Sequence, residues 1–233
     1  MTKNEHSLPE RTASLLCEGA FAKREKILKT EHIVTYYKKA NLADVNADFV
    51  DIPEIGMYRC EMSGLIHFYP FVVGKSSLYE QLQSNVWYYL KDKNEYHKAA
   101  EYVHQGNIVL EIGCGVGKFA SHLHSCGYVG LEFNRQAVMA CRSKGLKVSS
   151  QPLEAFAQKY REVFDVVCAF QVLEHIPAPR AFIACCLYCL KPGGHLIFSV
   201  PAEDSFAGKV PNYCLNLPPH HITRWPDKAL LAR

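Results

Sequence analysis

After Asn107 the chain alternates apolar runs with helical runs, and no other feature constrains its fold as much. IVLEIG is followed by KFASHLHSC, YVGLEF by RQAVMACRS, LKVSS by LEAFAQKY and FDVVCAF by AFIACCLYC, and HLIFSV closes the series. Continuous apolar strands separated by helices require a parallel sheet covered on both faces and joined by right-handed crossovers. The expected fold class is therefore α/β, a Rossmann-like, mostly parallel sheet with helices on both faces. In such sheets ligands bind beyond the strand C-termini, near the point where the strand order reverses. The loops after Ile112, Glu132, Ser150 and Phe170 should then line one site.

Composition excludes several classes. Hydrophobic residues make up 48% and charged residues 21%, far from the signature of disorder. The longest apolar run, Ala181–Leu190, has ten residues, whereas a bilayer span takes about 20, so no membrane helix is expected. The N-terminus MTKNEHSLPERTASLL lacks the apolar stretch of a secretory signal, which predicts a cytoplasmic protein. Of the ten cysteines, Cys114, Cys141, Cys168, Cys185, Cys186 and Cys189 lie in or beside apolar segments and read as reduced core thiols. The net charge of +3 comes from scattered Lys and Arg, which argues against a nucleic-acid partner.

Upstream, Pro9–Ala43 is rich in Ala, Leu, Lys and Glu and predicts a helical arm. From Phe49 to Phe71, FVDI, MYRC and LIHFY are punctuated by Pro53, Gly56, Gly64 and Pro70, which predicts a small β-hairpin unit. Leu78, Leu82, Val86, Tyr89 and Leu90 recur at helical spacing before Gly106-Asn107. The expected division is 1–105 for the arm, hairpin and lead-in helices, and 106–233 for the sheet domain.

The first strand of the series runs into Gly113-Cys114-Gly115-Val116-Gly117, which lets backbone approach a ligand and should present a helix N-terminus to it. A dinucleotide fingerprint needs glycine where this chain has Lys118. Glu111, just before the loop, repels a pyrophosphate and attracts an ammonium or sulfonium group. Glu132 ends the second strand, where a carboxylate accepts hydrogen bonds from both hydroxyls of a ribose. A ribose and a cation without phosphates describe S-adenosylmethionine.

Taken in order, VLEIGCGVG, the acidic end of GLEF, FDVVCAFQVLEHI and LKPGGHLIFSVP resemble class I S-adenosylmethionine-dependent methyltransferases over roughly Asn107–Pro201. The nearest subgroup holds ubiquinone-pathway O-methyltransferases and sugar methyltransferases, with a similar LEH after the fourth strand. The resemblance implies that Glu111, Gly113, Cys114, Gly115 and Gly117 hold the methionine end. It assigns Glu132, with Phe133 beside it, to the ribose, and Pro152 and Leu153 to the adenine rim. Phe170 and Gln171 would lie beneath the methionine moiety. The implied activity is methyl transfer to a hydroxyl, carbon or amine of a small molecule. The alternative is a non-catalytic relative that binds the cofactor or a protein partner.

Methyl transfer aligns two reactants and, for a hydroxyl or carbon acid, removes a proton. Glu174-His175 follows the fourth strand, and an imidazole there titrates in the useful range, which makes His175 the leading base. The alternative is a histidine that hydrogen-bonds backbone. His220-His221 in NLPPHHITRW resembles a loop that folds over the acceptor in the same subgroup. Glu174, His175 and His221 also resemble part of an E-x-x-E-H metal set, but Gln171 stands where the first acid belongs. An amide in place of a carboxylate weakens Mg²⁺ binding, and no metal is expected.

MYRCEMSGLIHFYP resembles the second half of a small zinc unit, with Ser63 in place of the second thiolate after Cys60 and no C-x-x-C upstream. The expectation is a metal-free hairpin held by its aromatic packing. The resembled family has a seven-stranded sheet, for which the 32 residues after Pro201 are too few. The expectation is either a truncated form or an exposed edge on the fifth strand that the N-terminal arm or a partner, such as a second copy in a homodimer, must cover.

Overall fold

In the computed structural model, which describes residues 7–83, 93–205, 207–210 and 213–231, Phe21–Lys29 is a strand and not part of a helical arm. Strand β1 (Arg11–Ala13) pairs antiparallel with β2 (Phe21–Lys29), and β2 pairs in turn with β3 (Glu54–Cys60). Helix propensity loses here because β2 is hydrogen-bonded on both sides. Ala22 is fully buried while Lys23, Glu25 and Lys26 stay exposed. Helix in this stretch is confined to α1 (Thr30–Lys39), which buries Ile33 and Tyr37.

The expected hairpin, β3 with β4 (Ile66–Tyr69), is the centre of a five-stranded antiparallel sheet and not a free unit. The sheet order is β1-β2-β3-β4-β10, with β10 at Thr223–Arg224. Tyr58 stacks on His67 at 5.5 Å and meets Tyr69 edge-on at 6.4 Å, which is the aromatic packing expected of the hairpin. The Ser14 hydroxyl donates to Cys60 Sγ at 3.2 Å, and the Ser63 amide donates to the same sulfur at 3.4 Å. In Ser14-x-x-Cys17 the Cys17 amide donates to Ser14 Oγ at 3.0 Å, the same turn pattern as in Cys60-x-x-Ser63. Burial works to raise the Cys60 thiol, but the hydrogen bonds from Ser14 and Ser63 outweigh it and hold it at about 7.

Behind this sheet, Ile55 and Phe68 pack with Ile33 and Tyr37 of α1, Leu78 and Leu82 of α2 (Ser76–Gln83), and Leu217. Val86, Tyr89 and Leu90, expected to continue α2, lie outside the described residues. Helix α3 (Asn94–Ala100) comes next, and Gly106 at φ +83° turns the chain.

The second sheet contains β5 (Ile108–Ile112), β6 (Gly127–Leu131), β7 (Val148–Ser149), β8 (Phe164–Phe170) and β9 (Leu190–Ser199). All pairings are parallel and the order is β7-β6-β5-β8-β9. The strand order therefore reverses beside β5, as expected of a Rossmann-like sheet. Val109, Val166, Cys168 and Phe170 pack with Tyr96 and Ala99 of α3. Val138 and Cys141 of α4 (Arg135–Ser143) pack with Cys114 and Val148. Helices α5 (Leu153–Ala157) and α6 (Pro179–Cys189) complete the crossovers, and α7 (Asp227–Leu230) ends the described chain. Among the described residues this sheet has five strands.

Two compact units result, and they do not follow a single cut near residue 105. One comprises Met1–Tyr88, Glu174–Pro177 and Pro201–Arg233, the other Tyr89–Leu173 and Ala178–Val200. The reason is hydrogen bonding: β10 joins the first sheet through β4. All ten cysteines are free thiols. Among the described residues no helix is long and apolar enough to cross a membrane.

Phe68 is fully buried, so Phe68→Ala is expected to cost about 3–5 kcal/mol in denaturant unfolding. Val50 is 65% exposed, and Val50→Ala should stay within about 0.5 kcal/mol in the same titration.

Candidate functional site

The turn after β5 passes through Gly113, Gly115 and Gly117 at φ +69°, +51° and +72°, the left-handed region that favours glycine. A Cβ on Gly113 would lie 2.5 Å from Cγ2 of Val172, and one on Gly117 2.5 Å from Cδ1 of Leu146. The amides of Gly113 and Cys114 both donate to the Leu131 carbonyl at the end of β6, at 2.8 and 3.1 Å. The loop leads into a single 3-10 turn, Phe119–His122, and not into the expected helix.

Glu132, one residue beyond β6, reaches back to this loop. Its Oε2 accepts from the Gly115 amide at 2.8 Å and its Oε1 from the Asn134 amide at 2.8 Å. Asn134 also caps α4 by accepting from the Ala137 amide at 3.0 Å. The structure thus joins the two features that the sequence placed on successive loops, and it joins them through one half-buried carboxylate.

Glu111 departs from expectation. It sits in β5 between Gly130 of β6 and Cys168 of β8, is buried, and accepts from the Tyr128 hydroxyl at 2.5 Å. Burial pushes its carboxyl up to about 8, against the Tyr128 hydrogen bond, and the nearby Glu132 charge pushes the same way. Both effects favour the neutral form of the carboxyl over the charged one expected from the sequence. Sequence reasoning misses Tyr128. The signal for it is Gly130, where a Cβ would crowd both Cys114 Sγ and the Tyr128 hydroxyl.

The remaining cofactor candidates separate by burial. Phe133 is 72% exposed, and Pro152 is exposed at the start of α5. Leu153 and Phe170 are core residues: Leu153 is buried, and Phe170 packs on Tyr96 at 5.0 Å and Phe119 at 4.9 Å. Strand and helix turn both side chains inward. Gln171 adopts φ +57°, uncommon for a residue with a side chain. Its amide donates to the Ser199 carbonyl at 2.9 Å and its Nε2 to Ser199 Oγ at 3.3 Å.

Glu174, His175 and His221 do come together, and His220 joins them. The Ile222 amide donates to the Glu174 carbonyl at 3.0 Å, which lays the two segments side by side. His175 Nδ1 lies 2.5 Å from the His220 carbonyl oxygen. His220 and His221 stack with centroids 4.4 Å apart, and the His175 ring meets them edge-on at 4.9 and 5.0 Å. Glu174 Oε1 is 3.9 Å from His221 Nε2, with both groups buried. Burial lowers His175 to about 3, with the neighbouring His220 adding to this and the bond to its carbonyl opposing it. Burial likewise lowers His220 to about 4 and takes His221 well below the ordinary range. A general base works best with a pKa near the operating pH. His175 itself is half-buried, whereas His220 and His221 are buried.

A family described as a methyltransferase domain matches residues 82–232. A ubiquinone biosynthesis O-methyltransferase of Photorhabdus laumondii is 30% identical over 102 residues, covering 40% of this chain and 42% of the relative. One of Pectobacterium atrosepticum is 31% identical over 143 residues, covering 55% of this chain and 59% of the relative. The chain thus spans about half the length of the curated relatives it matches. Among solved structures, a SAM dependent methyltransferase from Archaeoglobus fulgidus superposes with a TM-score of 0.51 at 19% identity. That match covers 58% of this chain and 62% of the other and bears on the fold alone.

The raised Glu111 gives a stability test. A folded-state pKa near 8 against about 4.5 unfolded means that the folded chain binds the extra proton between those values. Stability contributed by the protonated form is fully present below about pH 4.5 and is lost as pH rises through 8. Glu111→Gln should remove this slope, so wild type and variant should diverge by a few kcal/mol between pH 5 and 8 in urea titrations, at about 1.4 kcal/mol for each tenfold change in proton affinity. Parallel curves would contradict the burial of an ionisable group at this position.

Proposed function

The chain belongs to the class I S-adenosylmethionine-dependent methyltransferase domain family, and on that premise we propose that it moves a methyl group from S-adenosylmethionine to a hydroxyl, carbon or nitrogen of a small molecule. The observation that carries this reading is the Glu132 carboxylate closing the glycine loop at the ends of β5 and β6. Residues present there suit a ribose-bearing cation: three left-handed glycines keep side chains away, and a carboxylate stands ready for a diol. When bound, the donor supplies a methyl on a sulfonium, already activated for in-line displacement. Glu132 would hold the ribose hydroxyls of a bound donor. The donor's positive charge nearby would favour the charged form of Glu111, since an opposite charge lowers a raised carboxyl pKa. Gly113, Cys114 and Gly117 shape the approach, and Gln171, pinned to Ser199, fixes the loop beyond β8.

For a hydroxyl acceptor, the half-buried His175 is the candidate for proton removal, with His221 and Glu174 beside it. A second reading, a relative that binds the cofactor without turnover, is favoured by the burial of His220 and His221. The expected acceptor is a small molecule and not nucleic acid, and a homodimer remains part of the proposal.

Glu132→Gln keeps the volume and removes the charge. It is expected to weaken S-adenosylmethionine binding about 10–100-fold by calorimetry, the loss of about 1.5–3 kcal/mol for charged hydrogen bonds. An unchanged dissociation constant would take Glu132 out of the site. Tight binding by wild type with no methylated product across an acceptor panel would select the second reading.

A further inference from the structure

The histidine cluster carries an inference that does not depend on methyl transfer. One ring nitrogen from each of His175, His220 and His221 lies within 4.8 Å of the others. In all three rings Nδ1 is committed to an oxygen. His175 Nδ1 faces the His220 carbonyl at 2.5 Å, His220 Nδ1 the Leu215 carbonyl at 2.9 Å, and His221 Nδ1 the Asn216 Oδ1 at 3.0 Å. Carbonyl oxygens only accept, so each Nδ1 carries the proton and each Nε2 presents a lone pair. Metal-ligating imidazoles are oriented in this way, with the second nitrogen donating to a carbonyl that fixes tautomer and ring direction. A buried carboxylate, Glu174, stands 3.9 Å from His221 Nε2.

The geometry points to a divalent transition-metal site, with His175, His220 and His221 as ligands, one ring nitrogen from each. Imidazole nitrogens select zinc, iron, nickel or copper, whereas Mg²⁺ and Ca²⁺ require a shell of oxygens that three imidazoles do not supply. The ligand set therefore differs from the carboxylate-rich one that the sequence suggests. Gln171 no longer matters, because His220 supplies a nitrogen outside that pattern. Zinc–nitrogen bonds of about 2.0–2.1 Å set tetrahedral neighbours about 3.3 Å apart, so the rings close by an ångström or so around the ion. Three protein ligands leave one tetrahedral position open. The site fastens Glu174–Pro177 to the NLPPHH segment within one unit.

The test uses the full chain, stripped of metal and dialysed against Zn²⁺. One equivalent should be retained, the melting temperature should rise by several degrees, and a chelator should reverse both. His220→Gln and His221→Gln should each weaken zinc binding at least 100-fold. Asn216→Ala, at a positioning residue, should weaken it about 10–100-fold. The exposed His124, changed to Gln, should leave it unaltered. With Co²⁺, the wild type should show the visible absorption of a tetrahedral nitrogen and oxygen site, without the sulfur charge-transfer band that its ten cysteines would give. No retained zinc, a sulfur band, or equal affinity in the histidine variants overturns the assignment. If the variants fail to fold, the wild-type cobalt spectrum decides alone. None of these readouts requires S-adenosylmethionine, so failure here and failure of the methyltransferase reading are distinguishable.

Discussion

Strands paired in parallel end at the same edge, and the arrangement around the glycine loop depends on that constraint. Ile112 of β5 stands opposite Leu131 of β6 and Ala169 of β8. Gly113, Glu132 and Gln171 therefore emerge together, and Glu132 needs only its own length to reach the Gly115 amide. A slip of one residue would exchange the two faces of β5 and move Glu111 away from Tyr128. The same register that buries one carboxyl thus positions the other.

The contrast between the two carboxyls shows what governs chemistry in this fold. Glu132 is half-buried and held by two amides. Glu111 is buried against a neutral hydroxyl, and desolvation dominates. The histidines follow the second pattern. Burial favours their neutral form, and their hydrogen bonds to oxygen act on the tautomer.

How much of this is legible in the sequence depends on whether the controlling force is local. The five strands after Asn107 and α4 are readable because apolar runs and helical spacing are properties of consecutive residues. The glycine loop and Glu132 are readable for the same reason. Phe21–Lys29 misleads because its residues favour helix and only its pairing with β1 and β3 makes it a strand. His220 is visible in the sequence but not its bond to His175, 45 positions away, because the link is a backbone carbonyl that no side-chain pattern announces. The match between Ser14-x-x-Cys17 and Cys60-x-x-Ser63 escapes notice because it is a match of turns and not of ligand residues. Leu153 and Phe170 fall at the expected places along the chain, but their side chains turn inward, a fact fixed by pleat and helix phase.

Glu174–Pro177 belongs with one unit while the residues on either side belong with the other. The polypeptide consequently passes back and forth between them four times. Domains strung on a single linker can be gained or shed by one recombination event. This chain cannot be parted that way, because each unit is assembled from separated stretches, and deletion of everything after Val200 would strip β10 from the N-terminal sheet. Its two halves are therefore inherited, expressed and lost as one genetic element.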